Sequence, residues 1–242
     1  MIKSNYILVL IAIILACNKE NNCIMYSGKS EKVEIPIVAF SSVEINDFID
    51  FSWNKSPEYR IEVIGGKNYL PGIAAELEKS TLHIKNKNIC KFLKSKVDNI
   101  QINVHCPFID TLTIKGSGEI VFNDTMQNNL WVNCLVNQGK IRLKLNNDFS
   151  KFYLESGSND IHVTGSSSYC DYYNSGINHF YARNFDVDSF RLHSRSKGVT
   201  EIRANKWLHI EQNGESDINY WGNPSEVNIT SYLGNGDIIH HN

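Results

Sequence analysis

A charged or polar residue stands directly before a recurring apolar residue in the second half of the chain. The recurring unit is a glycine, three mostly polar residues and then an isoleucine or phenylalanine, as in "GSGEI" from residue 116 and "GNGDI" from residue 234. If equivalent units stack side by side as strands, the residues before the apolar position form a column with a spacing of about 4.8 Å. The members of this column are Glu119, Lys140, Asp160, His179, Glu201, Asp217 and Asp237.

Three carboxylates in consecutive units, Glu201, Asp217 and Asp237, have the chemistry of a cation site. Like charges directly opposite one another destabilise a sheet, and Ca²⁺, which takes six to eight oxygen ligands, would relieve the repulsion. The alternative is that these side chains point into water or accept hydrogen bonds from turn amides, as Asp commonly does. The second interpretation is favoured, so we predict no resident metal and no other cofactor and keep the trio only as a candidate calcium site.

Aromatic residues are concentrated in the later units and are the leading candidates for ligand binding. Aromatic side chains pack well on sugar rings and at the centres of protein interfaces. The alternative is that they belong to the core or to its ends. The candidates are Tyr169, Tyr172, Tyr173, Tyr181, Trp207, Tyr220 and Trp221.

The sequence contains no recognisable catalytic motif. There is no Gly-x-Ser-x-Gly elbow, the histidines lack metal-ligand spacing, and no helix is predicted after the glycine pairs that resemble nucleotide-binding loops. A polysaccharide lyase or hydrolase on such a scaffold needs acids beside a base on one face, whereas Lys140, Arg142, Glu201 and Arg203 are scattered in the sequence. We therefore predict a non-enzymatic protein, with an enzyme or a passive structural component as alternatives.

Seven copies of the glycine unit, spaced by about 20 residues, predict the element that positions these residues. Apolar and polar residues alternate around each apolar anchor, which is typical of strands, and a propeller blade needs about 40 residues. The spacing predicts a right-handed parallel β-solenoid of seven coils over residues 111–242, with the glycines at sharp turns of positive φ. The anchors are Ile120, Ile141, Ile161, Phe180, Ile202, Ile218 and Ile238.

Residues 33–110 lack the glycine unit but keep the alternation, as in "YRIEVIGG" and "NIQINVHCP". We predict an N-terminal β region here, with residues 70–80 as a strand because Ile73, Ala75 and Leu77 alternate with other residues. The fold class is therefore all-β.

The first residues have the features of an export signal. An apolar run of about ten residues follows Lys3, which is too short to span a bilayer and suits a signal peptide over residues 1–16. The run ends in "ILAC", which resembles a bacterial lipobox, so Cys17 is the predicted lipidation site and residues 17–32 a flexible tether. An ordinary secretory signal is the alternative. The lipid would anchor the protein to the outer membrane, facing the periplasm or the cell surface.

The net charge and the cysteines limit the remaining partners. A formal net charge of −2 without a basic patch argues against nucleic acid. No Cys-x-x-Cys pair occurs, so a zinc or redox site is not predicted. In an oxidising compartment Cys90 and Cys106 could form a disulfide, the alternative being that the cysteines are small buried side chains.

The repeated "GSGEI"-type units, the stretch "AFSSVEINDFIDFSW", the later "STLHIKNKNICKF" and a literal "SGIN" at residues 175–178 resemble the head GIN domain family. The resemblance covers residues 33–240 and implies a right-handed parallel β-solenoid with an N-terminal β region. It also implies an adhesin-like role in lipoproteins and secreted proteins of Bacteroidetes. It implies no catalytic residues.

Overall fold

The computed structural model describes residues 27–88 and 100–242, and within them the chain is almost entirely β-strand. All fifteen strands belong to one sheet, and a single 3-10 turn, Leu70–Gly72, stands between two of them. The strands are β1 (Ser30–Pro36), β2 (Ser42–Phe48), β3 (Asp50–Lys55), β4 (Arg60–Gly66), β5 (Ile73–Glu78), β6 (Thr81–Asn86), β7 (Gln101–Cys106), β8 (Thr111–Phe122), β9 (Leu130–Asn174), β10 (His179–Tyr181), β11 (Phe185–Ser194), β12 (Thr200–Gln212), β13 (Ile218–Trp221), β14 (Glu226–Tyr232) and β15 (Ile238–His241).

The N-terminal region combines antiparallel and parallel pairs. β4 lies between β1 and β7 and is antiparallel to both, and β5 and β6 form an antiparallel hairpin. β3 is parallel to β7 on one side and to β8 on the other, while β2 is parallel to β6 and β8. The predicted strand over residues 70–80 is found as β5, after a short turn.

From β8 onward the paired strands are parallel, and partners lie about 20 residues apart in sequence, as in the pairs Leu112–Val132 and Phe185–Gly165. β9 pairs with β10 and with β11, and β12 pairs with the same two strands, which closes a ring of four parallel partners. β10 and β11 follow one another in the chain, and both lie between β9 and β12, on two separate faces. Each pass of the chain, meaning one repeat of about 20 residues, therefore stacks on the pass before it.

The core follows the inward side of every pass. Tyr172, Leu192, Ile210 and Ile229 are successive partners in one column, and the first three are fully buried. Each buried apolar side chain contributes roughly 1.5–3 kcal/mol before chain entropy is subtracted. The buried cluster is continuous from the N-terminal strands to the last passes.

The register confirms most of the predicted anchors and corrects one. Ile161 pairs with Phe180, and Ile218 pairs with Ile238. The residue between Phe180 and Ile218 in this column is Thr200 and not Ile202. Alignment of the glycines predicts that Gly198 stacks on Gly176. Gly198 instead stacks on Asn178, which is two residues closer to the anchor Phe180.

Close packing of successive passes explains the glycines better than turn geometry does. Among the six glycines that open the repeat units only Gly157 has a positive φ, of 122°, so the prediction of positive φ is wrong for the other five, including Gly198. A Cβ atom on Gly198 would lie 2.2 Å from the carbonyl oxygen of Asn178 in the pass below. Any side chain there would force the two passes apart.

Buried asparagines also connect successive passes. Asn159 Nδ2 donates to Asn137 Oδ1 at 2.9 Å and to Asn178 Oδ1 at 2.6 Å, and all three residues are buried. Asn137 was predicted to replace glycine because Asn tolerates positive φ, yet it does not have one. Its amide instead links two neighbouring passes.

Candidate functional site

One outer surface of the stack carries rows of aromatic rings, and we call it the aromatic face. It consists of the outward side chains of the second half of β9 together with β11 and β12. The Phe149 and Tyr169 rings stack with centroids 5.8 Å apart, and those of Tyr153 and Tyr173 with centroids 5.0 Å apart. The face comprises Phe149, Tyr153, Tyr169, Tyr173, His193, Trp207 and His209.

Parallel pairing explains these rows. Outward residues of adjacent passes stand in register about 4.8 Å apart, so two aromatic residues separated by one repeat stack automatically. His193 follows Tyr173 in its column and lies 5.1 Å from it between ring centroids. Trp207 and His209, on β12, stack with centroids 5.6 Å apart.

Charged residues lie between the aromatic columns and largely neutralise one another. Lys151 Nζ lies 3.3 Å from Asp171 Oδ2. Arg191 stands beside Asp171 and is exposed. The surface therefore carries charges of both signs between its aromatic rings.

Stacking leaves the ring edges and the phenol hydroxyls accessible. The aromatic residues of this face are half-buried, so their orientations are held by their neighbours. Burial, and secondarily Asp171, raises the pKa of Tyr169, so its hydroxyl stays protonated near neutral pH and can donate a hydrogen bond. The face thus offers ordered hydroxyls and apolar ring edges, which suit a glycan or a protein surface.

The structure divides the seven predicted binding aromatics. Tyr169, Tyr173 and Trp207 lie on the aromatic face. Tyr181 lies on a different outer surface, stacked on His162 with centroids 4.8 Å apart, and Tyr220 stacks on His240 at 4.6 Å.

Two of the predicted binding residues are buried, and for them the prediction was wrong. Tyr172 is 0% exposed because it occupies an inward position, where Asn174 Nδ2 donates to its hydroxyl at 2.9 Å. Trp221 is 8% exposed, covered on one side by the His241 ring and contacted by the Arg183 guanidinium 4.6 Å from its ring centroid.

Sequence reasoning missed Phe149 and Tyr153, which stand one repeat before Tyr169 and Tyr173. The sequence signal for them is that aromatic residues stand at equivalent positions of consecutive repeats. The glycine units, which carry the clearest repeat, lie on another part of each pass and do not point to these two residues.

The candidate calcium trio is not assembled. Asp217 Oδ1 accepts a hydrogen bond from the Asp237 backbone N–H at 2.9 Å, which is the turn-amide contact of the alternative interpretation. Glu201 pairs with Asn219 and so lies out of register with the two aspartates. In the described part of the chain, no group of three or more His, Cys, Asp or Glu residues is arranged to hold a metal ion.

Lys140, Arg142 and Glu201 are less scattered than the sequence suggested. All three act electrostatically on His162, whose pKa is lowered by burial first and by Lys140 next. Arg142 forms an ion pair with Glu119, which is the register partner of Lys140 on the preceding pass. Arg203 does not join this group, because its Nε donates to the Arg183 carbonyl at 3.0 Å.

Residues 39–224 match the family described as "Putative auto-transporter adhesin, head GIN domain". The chain belongs to the head GIN domain family. No curated protein matches it significantly.

Solved structures share this head GIN fold at low sequence identity. A putative adhesin from Bacteroides fragilis has a TM-score of 0.77 at 16% identity, over 88% of this chain and 97% of its own. A putative lipid binding protein from Parabacteroides distasonis has a TM-score of 0.63 at 20% identity, over 89% and 98%. A putative adhesin from Parabacteroides merdae has a TM-score of 0.57 at 16% identity, over 89% and 97%.

The cysteines of this head GIN domain are inert where the structure describes them. Cys106 is a wholly buried thiol that donates to the Phe108 carbonyl at 3.3 Å, and its possible disulfide partner Cys90 is outside the described residues. Burial raises the pKa of the Cys106 and Cys134 thiols to about 12. Cys90 and the predicted lipidation site Cys17 lie outside the described residues. No helix within residues 27–88 and 100–242 is long and apolar enough to cross a membrane.

Proposed function

We propose that this protein is a non-enzymatic, adhesin-like component of the bacterial cell envelope that binds a glycan or protein through the aromatic face. The observation that carries the proposal is the pair of stacked columns, Phe149–Tyr169 and Tyr153–Tyr173, held half-buried on one outer surface. Preorganised aromatic residues lose little conformational entropy on binding. The family description, which names adhesins, supports the same role.

The proposal includes the architecture and the anchor. Residues 111–242 form a right-handed β-solenoid with coils of about 20 residues, which presents the aromatic face along its side. Residues 1–16 are a signal peptide, Cys17 carries lipid, and the residues between Cys17 and β1 tether the domain to the outer membrane of a Bacteroidetes-type bacterium, a shorter tether than the predicted 17–32 because residues 30–32 belong to β1. The periplasmic and the cell-surface orientation are both compatible with this anchor.

The test compares residues 18–242 with the double variant Tyr153→Ala/Tyr173→Ala on a glycan array and on plates coated with extracellular matrix proteins. We expect wild-type binding to at least one class of probe and a loss of tenfold or more in the variant, since aromatic residues dominate such contacts. Tyr181→Ala, which removes a stacked aromatic from another surface, is the matched control and should bind like wild type. Equal binding by the double variant would remove the aromatic face from the proposal.

A polysaccharide-acting enzyme is the second candidate, because Lys140, Arg142 and Glu201 all influence the pKa of His162 electrostatically. Any oligosaccharide that binds on the array is incubated with the protein and examined for shorter products by mass spectrometry. Product formation that His162→Gln abolishes would favour the enzyme. Absence of both binding and cleavage would favour a passive structural role.

A further inference from the structure

A polar groove of about 490 Å³ crosses the N-terminal β region, on the outer side of β4, β7, β3 and β8. It lies at the opposite end of the sheet order from the last strands, and none of its residues belongs to the aromatic face. Its polar lining includes Asn54, Glu62, Gln101, Asn103, His105 and Asn123.

Hydrogen bonds between the lining side chains fix their orientations. Ser52 Oγ donates to Asn103 Oδ1 at 2.7 Å, and Asn103 Nδ2 donates to Glu62 Oε2 at 3.3 Å. Asn123 Nδ2 donates to Asn54 Oδ1 at 2.9 Å. The polar atoms of the groove are therefore preorganised, which reduces the entropy cost of binding.

The carboxylates of the groove already have positively charged or N–H partners. Glu62 Oε1 lies 3.3 Å from Lys32 Nζ, and Glu119 is ion-paired with Arg142. Asp50 Oδ1 accepts the Glu119 backbone N–H at 2.8 Å. No large unbalanced charge is left to select a cation or an anion.

His105 presents a buried donor that lacks a hydrogen-bond partner. Arg60 Nη2 lies 3.5 Å from His105 Nδ1, and since a guanidinium can only donate, Nδ1 is the acceptor and Nε2 carries the proton. Nε2 is buried without a hydrogen bond, and it lies 3.7 Å from Glu62 Oε2. The Asn103 amide first, and then Lys32, lowers the pKa of Glu62, so its carboxylate is an acceptor at neutral pH.

We infer that this groove is a binding site for a neutral saccharide, in which one sugar hydroxyl joins His105 to Glu62. A hydroxyl accepts from the Nε2–H and donates to the carboxylate at the same time. The neighbouring amides of Asn54, Gln101 and Asn123 match further hydroxyls, and Val121 contacts the apolar side of the ring. The site does not depend on ligand binding by the aromatic face.

The test is a titration of ¹⁵N-histidine-labelled protein followed by NMR. The probes are the methyl glycosides of glucose, galactose, mannose and N-acetylglucosamine, with methyl glucuronide as the charged comparison. We expect at least one neutral glycoside to shift the His105 Nε2 resonance at millimolar concentration, with little effect from the glucuronide. No shift with any neutral glycoside, or a larger response to the glucuronide, would overturn the inference.

Variants extend the test to affinity. His105→Phe and Glu62→Leu each remove one side of the bridge and should weaken binding about tenfold, the effect of one good hydrogen bond. His83→Phe is the matched control, because His83 Nδ1 lies 3.4 Å from Glu44 Oε1 in a similar pair outside the groove. Equal weakening in all three variants would contradict the site, as would unchanged affinity in the first two. The double variant Tyr153→Ala/Tyr173→Ala should bind the same glycosides normally, which separates this result from failure of the aromatic-face proposal.

Discussion

At the scale of single residues, buried polar side chains specify how the passes stack. Asn159 is 1% exposed and donates to Asn137 and Asn178, which belong to the passes on either side. A buried amide of this kind stabilises only when its partners are in register, so it disfavours slipped alignments. The sequence does not reveal this role of the buried amides, because an Asn at a predicted turn position is first explained by its tolerance of positive φ.

Replacement of Asn159 by Ala should lower the free energy of unfolding by about 1–3 kcal/mol, because the oxygens of Asn137 and Asn178 lose a buried donor. Chemical denaturation followed by circular dichroism measures the change. Asn228→Ala is the control, since Asn228 is exposed on β14, and it should alter stability by less than about 0.5 kcal/mol. Similar effects at the two positions would contradict a role for the buried amide.

At the scale of elements, a strand's position in the stack decides what its apolar residues contribute. Ile210 and Ile229 are register partners in one core column. Ile210 is fully buried, whereas Ile229 on β14 is 47% exposed because β14 pairs only with β12. The alternation pattern is the same in both strands, so the sequence alone does not distinguish the two positions.

Ile210→Ala should therefore cost about 2–5 kcal/mol of unfolding free energy, while Ile229→Ala should cost less than half as much. Thermal and denaturant unfolding of the two variants, measured under identical conditions, gives the comparison. The pair differs only in whether a further pass covers the side chain. Equal losses would mean that β14 is covered in solution.

Much of the element-level fold was accessible from the sequence, and the exceptions have physical causes. Alternation predicted the strands and the parallel stacking, because equivalent apolar positions recur every repeat. The register slip at Thr200 was missed because a buried threonine replaces the expected isoleucine there. The burial of Tyr172 was missed because aromatic residues occupy both sides of the same strand, where Tyr173 points outward. The groove was missed because its residues come from β3, β4, β7 and β8, which only the tertiary fold brings together.

At the scale of the whole molecule, the N-terminal region and the stacked passes share one core. Val43 pairs with Leu112, Ile45 pairs with Ile114, and the rings of Trp53 and Phe122 lie 5.1 Å apart. Each half would expose these residues if it were separated from the other. Solenoid repeats gain most of their stability from the interface with a neighbour. The apolar residues of β8 are therefore buried by contact with β2 and β3.

We therefore expect that residues 27–110 and residues 111–242, expressed separately, show no cooperative thermal transition, whereas residues 27–242 unfold in one. Differential scanning calorimetry of the three proteins measures this directly. Co-expression of the two fragments supplies the control, because pairing of β2 and β3 with β8 should restore a transition when both are present. An isolated 111–242 fragment that melts at the same temperature as residues 27–242 would show that the stacked passes do not need the N-terminal strands. That outcome would contradict the observed core, in which Leu112, Ile114 and Phe122 pack against the N-terminal strands. Separation of the two halves would expose about six large apolar side chains, at a cost of roughly 1.5–3 kcal/mol each.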